Sequence, residues 1–134
     1  MLTLATVASG ALRFADAPYR INMPAEAIQV VTTTAERKDA DALAKAVLDK
    51  HLGACVQISG PIDSSYWWNN RLEKSQEWIL TIKTRRDLYP PLEKLLLELH
   101  PYDQPEIIAT ACVEISAGYQ KWLNEQVKAP PKRT

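Results

Sequence analysis

The stretch between residues 64 and 84 restricts the fold of this 134-residue chain more than any other part. It reads as two antiparallel strands that turn at Asn69-Asn70, because asparagine tolerates the left-handed backbone that a two-residue hairpin turn requires. On the return strand Trp78, Leu80 and Ile82 fall on one face, and Glu77, Ile79, Thr81 and Lys83 on the other. The first is a core face. The second is mixed, with an isoleucine and a threonine where a solvated sheet would carry charge. Trp67 and Trp68 are adjacent and must point to opposite sides, so one of them projects away from whatever core the other joins. An exposed tryptophan marks a partner or ligand surface.

The rest of the chain supplies a partner for this hairpin. Residues 28–34 are rich in β-branched side chains and predict a first strand. Residues 35–50 predict a helix with Leu43, Ala46, Val47 and the stem of Lys50 on its inner face, stopped by Gly53. Glu36, Asp39 and Asp41 suit its N-terminal end. A second strand follows at 54–59, is interrupted by Gly60-Pro61 as a bulge or bend, and resumes at 63–68. After the hairpin, Pro90 and Pro91 fit only the first turn of a second helix, whose stripe is Leu92, Leu95, Leu96 and Leu99. His100-Pro101 ends that helix. A fourth strand is expected at 106–115, with Ile107, Ala109, Ala111, Val113 and Ile115 on one face. Ser116 then caps a third helix carrying Tyr119, Trp122 and Leu123 inward.

This order, βαββαβ plus a final helix, predicts an α+β, ferredoxin-like fold: an antiparallel sheet with both long helices on one face. The other face would hold Gln29, Val31, Cys55, Ile79, Ile108 and Cys112, which is too apolar for water, so a homo-oligomer is expected to cover it. Residues 25–128 form the predicted domain, with residues 1–24 as a disordered, leader-like extension and 129–134 as a flexible tail. The extension has an apolar run but no preceding Lys or Arg, and a non-exported, cytoplasmic protein is the expectation. Lys and Arg number 16, as do Asp and Glu, but several basic residues sit at the two ends, leaving the folded part mildly acidic. That argues against nucleic acid as a partner, and the apolar run is too short to span a membrane. Cys55 and Cys112 lie in apolar strands and read as buried thiols rather than a disulfide or redox pair.

Several segments resemble the CutA family of divalent-cation tolerance proteins. They are Val31-Thr32-Thr33-Thr34-Ala35, Gly53-Ala54-Cys55-Val56, Ser65-Tyr66-Trp67-Trp68, Ile82-Lys83-Thr84, the run from His100 to Ile107 through Pro101-Tyr102-Asp103-Gln104-Pro105-Glu106, and Tyr119-Gln120-Lys121-Trp122-Leu123. The match covers about residues 28–127. It implies a tight, PII-like homotrimer with hairpins reaching across subunit boundaries, a role in metal tolerance, and copper binding by some members. No reaction and no required cofactor are implied; Cu²⁺ or another divalent cation is the implied ligand. Some metal-binding members carry cysteine where Thr33 stands and a second histidine where Leu99 stands, which leaves His100 and Glu106 as the matched metal ligands here.

The expected working site is an intersubunit cleft formed by Tyr66, Trp68, Lys83, His100, Tyr102 and Glu106. Lys83 would hold a small anionic ligand there, or else pair with Glu106 to fix the loop. For His100 and Tyr102 the alternative is structural: hydrogen bonds tying their loop to a neighbouring strand. His51, at a helix end, reads as a solvated residue, and Trp122 as core. An enzyme of the small ferredoxin-like monooxygenase or isomerase type is the competing class. The sequence shows no nucleophile with its base, paired carboxylates or phosphate-cradling glycine loop to support it.

Overall fold

In the computed structural model, which describes residues 27–128, β1 (Ala27–Thr34) lies inside a four-stranded antiparallel sheet of order β2-β3-β1-β4. The remaining elements are α1 (Arg37–Asp49), β2 (Cys55–Trp68), β3 (Arg71–Arg85), a 3-10 turn (Arg86–Leu88), α2 (Tyr89–Leu99), β4 (Ile108–Ala111) and α3 (Ala117–Gln126). The ferredoxin-like order is as the sequence predicts. The expectations for residues 1–24 and 129–134 fall outside the described residues.

Alternation along the strands sets the two faces. Ile28 and Val30 on β1, Leu80 and Ile82 on β3, and the packing partners Val56 and Ile58 on β2 meet α1 and α2. From the helices come Ala40, Leu43 and Val47 of α1 and Leu92, Leu95 and Leu96 of α2. Burying each of the larger aliphatic side chains stabilises the fold by about 1.5–3 kcal/mol. The inner face of α1 is thus centred one turn earlier than predicted, on Ala40, and Lys50 is exposed. Trp78 packs against this core and takes the Arg37 guanidinium over its ring at 5.2 Å.

Gly53 does not stop α1. The helix closes earlier, on His51 at φ 55°, where His51 N–H donates to Leu48 O (3.0 Å) and Leu52 N–H to Val47 O (3.1 Å). Gly53 serves close packing instead: a Cβ there would lie 2.7 Å from Ile82 Cγ2 and 2.8 Å from Val47 Cγ1. Gly53→Ala is therefore expected to destabilise the protein by about 1–3 kcal/mol through overpacking, read as a lower urea midpoint with unchanged slope.

Two further departures concern the sheet's second face and its edge. The fourth strand is shorter than predicted; only Ile108–Ala111 pairs with β1, all four residues are exposed, and Val113 is 85% exposed. The alternation reaches beyond the pairing because β4 is an edge strand with one neighbour to hold it. The second face is partly covered, since α3 lies against β3 and brings Tyr119 close to Cys55 and Cys112, while Ile108 stays exposed. Ser116 caps this helix, accepting from Tyr119 N–H, and burial of the Tyr119 ring, close to these two thiols, raises its pKa. Both cysteines are free and half-buried. Trp122 is not core: it is 40% exposed and stacks beside Tyr119 at 5.4 Å.

Candidate functional site

β1 pairs with β3 only from Trp78 to Arg85, whereas β2 follows β3 to its start at Arg71. Residues 62–77 therefore leave the sheet as a two-stranded ribbon about 20 Å long at 3.3 Å per residue. It starts at a register shift between Ser59 and Ile62, where Gly60 takes φ 143°, and ends in a tight turn with Asn69 and Asn70 at φ 51° and 62°. Trp67 pairs with Leu72 on one side of the ribbon, and Tyr66 and Trp68 project on the other. All four are exposed, Trp67 by 74% and Leu72 by 66%.

At the root of the ribbon sits a buried polar cluster. Glu77 Oε2 accepts a hydrogen bond from Thr33 Oγ1 (3.0 Å) and another from the Tyr102 hydroxyl (2.7 Å). His100 Nε2 donates to the Thr33 carbonyl at 2.8 Å, and Tyr102 N–H donates to His100 Nδ1 at 3.0 Å. The two rings are tilted against each other at 4.8 Å. A carbonyl only accepts, so Nε2 carries the proton and Nδ1 offers its lone pair: the imidazole is the neutral Nε2–H tautomer. Burial, together with the Glu77 carboxyl, holds the Tyr102 phenol protonated far beyond its ordinary range.

Burial pulls the His100 pKa below its ordinary 6.5, against the raising effects of the Thr33 carbonyl, Asp39 and Glu77. The unfolded chain then binds the proton more readily than the native one, so His100's contribution to stability is complete above about pH 6.5 and declines as pH falls below it. Melting temperature is expected to drop between pH 7.5 and 5, and His100→Asn should flatten part of that slope.

Of the six predicted cleft residues, the structure groups His100, Tyr102 and, near enough to raise the Tyr102 pKa, Tyr66, whose hydroxyl is 3.2 Å from Ser75 Oγ. Trp68 is on the same side of the ribbon, toward its tip. Lys83 stands apart, six residues along β3 from Glu77, with Nζ on Gln57 Oε1 at 2.6 Å. Glu106 is exposed, and no Lys83–Glu106 ion pair forms among the described residues. Among the described residues no three His, Cys, Asp or Glu side chains converge, and no hydrogen bond or ion pair joins His100 to Glu106. His51 is exposed as expected, but its Nδ1 binds Gln126 O at 2.9 Å and ties down the chain after α3. A groove of about 360 Å³ lies elsewhere, between Tyr89-Pro90 and the 109–111 stretch, and includes none of the six.

Glu77 and Thr33 are the members that sequence reasoning missed. A carboxylate at Glu77, on the strand face otherwise carrying Ile79 and Thr81, was the available signal. A buried carboxylate needs donors.

The profile of the family described as CutA1 divalent ion tolerance protein matches residues 28–126. The chain is 36% identical over 101 residues to the divalent-cation tolerance protein CutA of Pyrococcus horikoshii, spanning 75% of this chain and 98% of that protein. The crystal structure of CutA1 from Oryza sativa superposes with a TM-score of 0.75 at 32% identity, covering 77% of this chain and 94% of that one. The structure named as the periplasmic divalent cation tolerance protein CutA from Archaeoglobus fulgidus gives 0.74 at 28% identity, over 76% and 99%. The superposition on solved relatives and a profile match that takes in both the ribbon and the buried cluster at its root lead to one conclusion: this chain belongs to the CutA1 divalent ion tolerance protein family.

Proposed function

We propose that the protein is a non-enzymatic homotrimer that serves divalent-cation tolerance, with its working cleft between subunits. The ribbon carries this reading. An isolated two-stranded ribbon is marginal in water, and this one displays two tryptophans and a leucine. A neighbouring copy that receives it would bury those side chains and would bring Tyr66 and Trp68 against residues of the next subunit. In such an assembly Lys83, far from the His100 cluster within one chain, can face a cleft formed by another copy and hold a small anionic ligand or a cation's counter-ligand. The relatives' names support the tolerance role, and Cu²⁺ is the first cation to titrate. Two free thiols fit a reducing, cytoplasmic setting. The Archaeoglobus relative is named as periplasmic, so cell fractionation is the check on compartment.

Native mass spectrometry of the protein from cell extract tests the assembly and reports any retained ligand. The expected species is three times the 15.1 kDa chain. A stable lone protomer at micromolar concentration would remove both the trimer and the shared cleft.

A further inference from the structure

The cluster at the root of the ribbon occupies the place where a cation would be sought, yet both nitrogens of its imidazole and Glu77 Oε2 are already engaged. We propose that in this chain the junction of Thr33, Glu77, His100 and Tyr102 is a closed hydrogen-bonded latch, in which His100 does not serve as a ligand for divalent cations.

An imidazole binds a metal through an in-plane lone pair. A metal-bound histidine usually donates its other N–H to a carbonyl, so the bond from Nε2 to the Thr33 carbonyl would by itself suit a ligand. The Tyr102 amide closes the site: its N–H occupies the Nδ1 lone pair at 3.0 Å. Both partners of the ring are backbone groups, and neither can swing aside as a side chain can. Glu77 Oε2 is likewise held by two hydroxyls, and Glu106, the other matched ligand, is exposed and takes no part in these hydrogen bonds. Coordination through Nδ1 requires the 100–105 loop to lift; coordination through Nε2 requires loss of its proton and a turned Thr33 peptide. The latch instead joins the end of β1, the start of the ribbon on β3 and the loop after α2, which fixes the direction in which the ribbon leaves the sheet.

The chain carries its own control. It has two histidines, and His51, whose Nδ1 faces the Gln126 carbonyl, keeps an Nε2 lone pair with no partner among the described residues. The choice of cations as probes rests on the tolerance reading; the latch does not.

The test uses ¹⁵N imidazole spectra of the full chain titrated with Zn²⁺ at neutral pH, with Cu²⁺ calorimetry on wild type and His100→Asn. The His100 nitrogens are expected to show the Nε2–H tautomer and to stay unmoved through a tenfold excess of Zn²⁺, any imidazole response arising at His51. The two Cu²⁺ isotherms should agree within twofold. Absence of all cation binding also supports the latch, while counting against cation binding in the proposed function. A Zn²⁺-dependent shift or broadening at His100 Nδ1 overturns the proposal, as does loss of a Cu²⁺ step in a folded His100→Asn. Should that variant fail to fold, the wild-type spectra decide alone.

Discussion

Glu77→Ala is expected to lower stability by about 2–4 kcal/mol, among the largest effects of any polar substitution in the chain. The carboxyl is buried and is the acceptor for both the Thr33 and Tyr102 hydroxyls. Truncation removes that acceptor, and an unsatisfied buried donor costs about 1–3 kcal/mol. Glu77→Gln retains an oxygen at the same reach and should cost less than half as much. Tyr102→Phe removes one donor and leaves Thr33 served, so its cost should be about 1–2 kcal/mol. A double-mutant cycle of Glu77→Ala with Tyr102→Phe, measured by urea unfolding, should give a coupling of at least 0.5 kcal/mol. Additive costs within error would mean that the two residues do not share a bond in solution. Deeper effects belong only to the apolar core, where Leu96→Ala should cost about 2–5 kcal/mol without touching the assembly.

In the proposed homotrimer, Trp67→Ser combined with Leu72→Ser is expected to separate the subunits while leaving each one folded. The paired side chains lie on one side of the ribbon and contribute nothing to the core cluster. Burying them against a neighbour would be worth about 3–6 kcal/mol per interface, so their loss should raise the dissociation constant by roughly 10²- to 10⁴-fold. Native mass spectra of the variant should show the single chain, with far-UV circular dichroism close to wild type and a melting temperature that no longer rises with concentration. If the variant keeps the trimer mass, the ribbon is not what holds the copies together, and another surface must be sought.

Much of the fold was legible because it depends on alternation and on residues with narrow backbone preferences. Leu80 and Ile82 against Ile79 and Thr81 define the faces of β3 with no reference to the rest of the chain. Pro90 and Pro91 admit only the opening of α2, and Asn69-Asn70 only a tight turn. The extent of β4 was not legible, because its alternation continues past the residues that β1 can pair. Nor was the end of α1, where His51 takes the left-handed position that Gly53 was expected to fill. The cysteines were legible in part: both are free, but they are half-buried rather than buried, and Cys112 falls just past the end of β4. The tryptophans divide the same way. Trp78 joins the core through the strand alternation, whereas Trp122, placed inward by helical spacing, is left on the surface beside Tyr119.

The candidate site divides along the same line. His100 and Tyr102 could be named from their local sequence, together with the alternative that they bind their loop to a strand, and the hydrogen bonds agree with that alternative. Their acceptors could not be named. Thr33 and Glu77 are 44 positions apart and reach each other only because β1 lies beside β3 with Thr34 opposite Trp78. Lys83 was placed near Glu106 on the same kind of local argument, and its amine is held by Gln57 across the β2–β3 pairing.

The amino-acid sequence alone determined which residues face inward, where the chain turns and in what order its elements run, because those follow from side-chain polarity at fixed periods and from steric limits on single residues. Tertiary structure decided which donors meet which acceptors and how far the ribbon stands clear of the sheet. Those outcomes depend on strand register, a relation between distant segments that no local pattern encodes.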